Sequence, residues 1–154
     1  MDIKELYQEI VLDHGKNPRN KNKCAGFSND AKGHNPLCGD KVHIYLKLDK
    51  EKKIEDISFE GEGCAISIAS ASIMTETIKG KDFNVAKKIL ENFLNMLKKG
   101  SKLGINSLSE DENTTMMSLS GVKRFPMRVK CATLAWHTFI HAAEGKNETV
   151  NTEK

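Results

Sequence analysis

The stretch VHIYLKLDKEKKIEDISFEGEGCAISIASASIMTETIK, residues 42–79, decides the fold. Val42, Ile44, Leu46 and Leu48 alternate with His43, Tyr45 and Lys47, the period-two pattern of a strand with one buried face. Asp49 to Lys53 is a charged turn, and Ile54, Ile57 and Phe59 mark the returning strand, so an antiparallel hairpin is predicted. After Gly61-Glu62-Gly63 the period changes, and Cys64 to Lys79 reads as a helix dense in Ala and Ser, with Gly80 as its stop. Its Ile66–Ser72 run suits close helix packing rather than a row of nucleophiles.

Working outward, Ile3, Leu6, Tyr7, Ile10 and Val11 form one helical stripe upstream, ended by Gly15 and Pro18. His14 falls in its last turn, where a cation suits the helix dipole. Residues 15–40 read as loop with room for one short strand. Downstream, Asp82 can cap a helix that places Phe83, Ala86, Leu90, Phe93, Leu94 and Leu97 on one face and stops at Gly100. Residues 101–120 show no sustained period and read as a polar insertion. A last helix is predicted from near Cys131, and residues 145–154 as a disordered tail. Strands followed by helices, with no repeat, predict a single α+β domain over residues 1–144.

The chain has 154 residues, 38% of them hydrophobic, enough for one core. No uncharged stretch is long or apolar enough to span a bilayer, and MDIKELYQEI lacks the apolar region of a signal peptide, so a cytoplasmic protein is expected. The balance of 24 basic and 21 acidic residues is mild, which argues against a nucleic-acid partner. Four cysteines are too few for a disulfide scaffold.

Those cysteines are Cys24, Cys38, Cys64 and Cys131, without a C-x-x-C pair, so a zinc-ribbon reading fails. Taken singly, a cytosolic cysteine is an ordinary small buried hydrophobe. Context separates three of them. Cys38 lies in the Pro36–Gly39 turn with Asp40 two residues on. Cys64 stands where a strand meets a helix, and Cys131 is expected to open a helix behind Arg128 and Lys130. Unpaired N–H groups at a helix start favour the thiolate. Three thiolates and one carboxylate suit a tetrahedral zinc ion, or a cluster with one harder ligand. Cys24 reads as a surface thiol or filler. His34, four residues before Cys38, is a candidate for reaching the same metal, although a surface loop histidine is the plainer reading. His137 and His141 sit at i, i+4, but no Glu follows His137 as H-E-x-x-H requires.

In LYQEIVLDHGKNPRN (6–20), NPLCGD (35–40), GEGCAISIASASIMTE (61–76) and KCATLAW (130–136), the sequence resembles the U-type iron–sulfur assembly proteins, the IscU/SufU (NifU N-terminal-like) family. The resemblance runs from about Leu6 to Ala143. It implies a small antiparallel sheet flanked by helices, a SufE/NifU-like sandwich, with site loops converging at one end. It carries the family's metal ligands onto Cys38, Asp40, Cys64 and Cys131. The scaffold branch has His before its last site cysteine and a Leu-Pro-Pro-Val-Lys segment that recruits a chaperone. Here Lys130 precedes Cys131 and the segment reads Phe125-Pro126-Met127-Arg128. The 101–120 insertion is similar to the SufU-like branch, which binds zinc and accepts sulfur from a SufS-type cysteine desulfurase.

The resemblance therefore implies a zinc-dependent sulfur acceptor, or sulfurtransferase, with Cys38 as the catalytic acceptor. Arg128 is an auxiliary candidate, and downstream iron–sulfur assembly proteins are expected as further partners. The other implied activity is a scaffold that builds a 2Fe–2S cluster on the same ligands. Two departures from the family pattern stand out. Gly15 replaces an aromatic residue after Asp-His, and Cys24 is not a family site residue.

Overall fold

A computed structural model of the chain describes residues 2–100 and 107–153. The elements run α1 (Ile3–Lys16), β1 (Asn29–Asn35), β2 (Asp40–Leu48), β3 (Ile54–Glu62), α2 (Ala65–Ile78), α3 (Phe83–Lys99), α4 (Glu110–Met117), a 3₁₀ turn (Ser120–Arg124), α5 (Pro126–Ala143) and β4 (Val150–Asn151). This is the expected α+β architecture of helices on one small sheet.

The sheet order is β3-β2-β1-β4. β2 and β3 form the predicted hairpin, with Ile44 opposite Phe59 and Leu46 opposite Ile57, and the register shifts between Lys47 and Leu48. β1 pairs antiparallel to β2, with Ala31 opposite Ile44 and Asn35 opposite Asp40. Alternation puts Ala31, Val42, Ile44, Leu46, Ile57 and Phe59 into the core. α2 and α5 cover that face, and α5 comes so close to β1 that a Cβ on Gly33 would collide with the Thr138 hydroxyl. Glycine is therefore needed at this crossing.

α2 is buried almost all round, which explains its Ala/Ser composition: small side chains let α1 and α5 approach, and serine hydroxyls bond across to them. Trp136 of α5 donates to Ser70 Oγ at 3.1 Å, Ser70 in turn donates to the Ala132 carbonyl, and the indole stacks on Phe93 of α3 with ring centres 4.8 Å apart. α3 ends at Gly100 as expected and buries Ala86, Leu90, Phe93 and Leu97 of its stripe together with Ile89 and Met96, while Phe83 and Leu94 are only partly buried.

Five expectations change. The last helix begins at Pro126, not near Cys131, because proline at the first helical position loses no hydrogen bond and has its φ preset. The sheet is mixed rather than purely antiparallel. Part of the expected disordered tail forms β4, which runs parallel to β1 with Val150 beside Gly33 and Asn151 beside His34. Within the 101–120 insertion, residues 101–106 lie outside the described residues. Residues 110–117 form α4, which Ser109 and Glu112 start with a reciprocal capping box. Finally, His14, expected as a cation suited to the helix dipole, is buried, with Nδ1 2.7 Å from Ser72 Oγ of α2.

Burial pushes the His14 pKa down, reinforced by Arg19 and opposed by Glu76 and Asp13. A depressed histidine pKa means the unfolded chain binds more protons near and below the ordinary value of 6.5, so stability is lost as pH falls through that region. His137, also held down by burial, acts in the same direction. Urea midpoints should fall between pH 7.5 and pH 5.5, and less steeply in His14→Gln. An unchanged pH slope in that variant would remove His14 as a cause.

Candidate metal and sulfur site

Two loops and one helix meet at one end of the sheet. The β1–β2 turn carries Cys38, half-exposed, and delivers Asp40 as the first residue of β2, fully buried. The β3–α2 junction carries Cys64, half-exposed, as the N-cap of α2. α5 carries Cys131, buried and in its second turn rather than at its start. The expected helix-start effect on Cys131 is therefore absent. Burial, followed by hydrogen bonds with Cys38, Asp40 and Cys64, pushes its thiol pKa up when no cation is present.

The geometry is compact. Cys131 Sγ and Cys38 Sγ are 3.2 Å apart. Ligand atoms of Cys38, Asp40 and Cys131 all lie within 4.8 Å of one another. Cys64 stands at the edge of this trio, its Sγ 4.0 Å from Asp40 Oδ2. The Cys64 backbone N–H donates to Asp40 Oδ1 at 2.8 Å, which satisfies one orphan donor at the helix start and one buried carboxylate oxygen together. Gly63, at φ +152°, lets the backbone pass: a Cβ there would strike the Asp40 carboxylate. Arg128 is exposed, and its guanidinium pKa is raised, first by attraction to Cys64 and then by contact with Cys131.

The donor chemistry fits zinc. A tetrahedral ion with Zn–S of about 2.3 Å places its sulfurs about 3.8 Å apart, so the trio needs only small side-chain adjustments.

The other candidates fall elsewhere. Cys24 is not a surface thiol. It is buried, its Sγ is 3.2 Å from Asp56 Oδ2, and burial pushes its pKa from the ordinary 9.0 to about 11. His34 is half-buried in β1 and is not among the mutually close ligand atoms of the described residues. His137 and His141 line a cleft of about 710 Å³ with Lys98 and Glu148. Lys130 points to the C-terminal segment, its Nζ 2.7 Å from Glu153 Oε1. One residue escaped notice: Asn35, fully buried, reaches Asp40 Oδ2 at 3.1 Å and Cys131 Sγ at 3.5 Å.

The pattern of the NifU-like N terminal domain family matches residues 6–141. The chain belongs to this family. Among NifU-like relatives, it is 43% identical over 138 residues to the zinc-dependent sulfurtransferase SufU of Bacillus subtilis, covering 88% of this chain and 87% of that one. It is 38% identical over 140 residues to the iron–sulfur cluster assembly scaffold protein IscU of Streptococcus pyogenes, covering 91% of this chain and 84% of the relative. The fold superimposes with a TM-score of 0.77 and 35% identity on a crystal structure from Fervidobacterium islandicum AW-1, described as a candidate iron–sulfur cluster assembly scaffold protein for the SUF system. That match covers 90% of this chain and 97% of the other. A NifU-like N-terminal protein from Brucella abortus, 22% identical, shares the fold with a TM-score of 0.78, covering 93% of this chain and 95% of its own.

In chelator-treated protein at pH 8, iodoacetamide should modify the half-exposed Cys38 and Cys64 roughly tenfold faster than Cys131 and Cys24, whose thiolates burial suppresses. Time-resolved peptide mass mapping checks the order. Labelling of Cys24 first would contradict the assignment.

Proposed function

We propose that this NifU-like protein is a zinc-dependent sulfur acceptor, which takes persulfide sulfur from a SufS-type cysteine desulfurase and passes it into iron–sulfur cluster assembly in the cytoplasm. The observation that carries the reading is the position of Cys38. It is a half-exposed thiol on a turn, 3.2 Å from the buried Cys131 sulfur and beside the buried Asp40. The 43% identity to a protein named as a zinc-dependent sulfurtransferase supports it. So does Lys130, whose ammonium faces Glu153 where the scaffold branch is expected to have histidine.

Cys38, Asp40, Cys64 and Cys131 would hold the zinc. The bound ion would supply the positive charge that keeps the thiols deprotonated near neutral pH, without a separate general base. Cys38 is the member best reached by a docked partner, because Cys131 and Asp40 are buried and Cys64 is tied to α2. Its thiolate attacks the terminal sulfur of the desulfurase persulfide. A bond forms between Cys38 Sγ and that sulfur, and the partner's S–S bond breaks. The electron pair leaves on the partner's cysteine as a thiolate, and Cys38 carries the persulfide. Arg128, exposed and attracted to Cys64 and Cys131, steadies this negative charge or meets the partner.

A second reading has its own support: the S. pyogenes relative is named an iron–sulfur cluster assembly scaffold protein. On that reading the same ligands carry a 2Fe–2S cluster. Cys38→Ala should abolish stimulation of a cysteine desulfurase. Full stimulation by that variant, with its zinc content verified, would sink the sulfur-acceptor reading. Rapid cluster transfer from anaerobically reconstituted protein to an apo-ferredoxin would favour the scaffold.

A further inference from the structure

We propose that Asn35 and Thr152 are positioning residues for the metal ligands, with the C-terminal segment acting on the site through one buried amide. The inference rests on the reading that the cluster binds zinc.

Asn35 ends β1 and is wholly buried. Its Nδ2 faces two groups that accept hydrogen bonds when ionised, Asp40 Oδ2 at 3.1 Å and Cys131 Sγ at 3.5 Å. An amide NH2 has two hydrogens to give, and the amide oxygen has none, so only this orientation suits a carboxylate and a thiolate. It leaves Asn35 Oδ1 pointing away from the ligands. There the Thr152 hydroxyl donates to it at 3.0 Å.

Thr152 is itself held. Its backbone N–H donates to the His34 carbonyl at 3.2 Å, continuing the β1–β4 pairing, and Glu153 binds Lys130 of α5. The chain Thr152–Asn35–Asp40/Cys131 therefore joins the C-terminal strand to two of the four proposed ligands. Fixing the oxygen end of the amide fixes the donor end, and an amide whose oxygen accepts a bond donates more strongly. Such outer partners orient ligands and tune the sulfur.

Direct partners of ligands typically alter metal affinity about 10–100-fold. Thr152 stands one hydrogen bond further out, so a loss of about three- to tenfold is expected. The test compares wild type, Thr152→Val and Thr152→Ser as full-length protein. Zinc affinity is measured by chelator competition, the sulfur-to-metal absorption bands of the cobalt(II)-substituted forms are recorded, and thermal midpoints are taken for the metal-free proteins.

Thr152→Val should bind zinc three- to tenfold more weakly and shift the cobalt bands. Thr152→Ser, which keeps the hydroxyl, should restore both, and the metal-free midpoints should agree. A Thr152→Val protein matching wild type in affinity and spectrum would overturn the proposal. So would equal weakening in Thr152→Ser, or a lowered metal-free midpoint in Thr152→Val, since either reports strand packing rather than the hydroxyl. Absence of zinc binding in wild type would instead overturn the metal reading beneath it, and the proposal with it.

Discussion

Asp40 is the constraint on which the site end of this fold depends. A fully buried carboxylate is costly unless each oxygen finds a partner. Here Oδ1 takes the backbone N–H of Cys64 and Oδ2 takes the Asn35 amide. Meeting that demand pulls the β1–β2 turn against the start of α2, and Asn35 reaches on to Cys131 of α5. Three segments far apart in sequence are thereby brought into register around one buried carboxyl group. Gly63 leaves room for the contact and Gly33 lets α5 lie on the sheet, so the two glycines serve one geometry from opposite sides.

This arrangement divides labour among the cysteines. Burial makes Cys131 a reluctant thiolate by itself, which is the condition under which a bound cation contributes most. Cys38 is exposed enough for a partner to reach, yet its sulfur rests against Cys131. Cys24 shows the contrast. It too is buried and beside a carboxylate, but at Asp56 rather than Asp40, and among the described residues it belongs to no group of three close ligand atoms. Composition alone cannot separate the two environments.

Much of the fold was legible because it is written in local periodicity. The alternation through Val42–Leu48, the return at Ile54–Phe59 and the change of period after Gly63 place Cys64 at a strand–helix junction without any tertiary information. The α3 stripe is equally local. Turn chemistry at Cys38 and the resemblance across four segments also pointed to residues that lie near one another in the fold: Cys38, Asp40 and Cys131 as a close trio, with Cys64 beside Asp40.

What escaped is non-local or weakly patterned. β4 is two residues long and takes its partner from β1, more than a hundred residues away in sequence, so no period marks it. Asn35 has partners 5 and 96 residues away, and nothing around it signals the second. Pro126 moved the start of α5 upstream, because Met127-Arg128-Val129-Lys130 lacks an apolar stripe although proline at N1 permits the helix. α4 did carry a readable signal, the Ser109-x-x-Glu112 spacing.

The central claim is that Cys38, Cys64, Cys131 and Asp40 together hold one zinc ion. X-ray absorption at the zinc edge, on untagged protein prepared without chelators, tests it most directly. One zinc per chain is expected, with three sulfur neighbours at about 2.3 Å and one oxygen at about 2.0–2.2 Å. A shell of four sulfurs, which would require Cys24, or one dominated by nitrogen and oxygen, would contradict it.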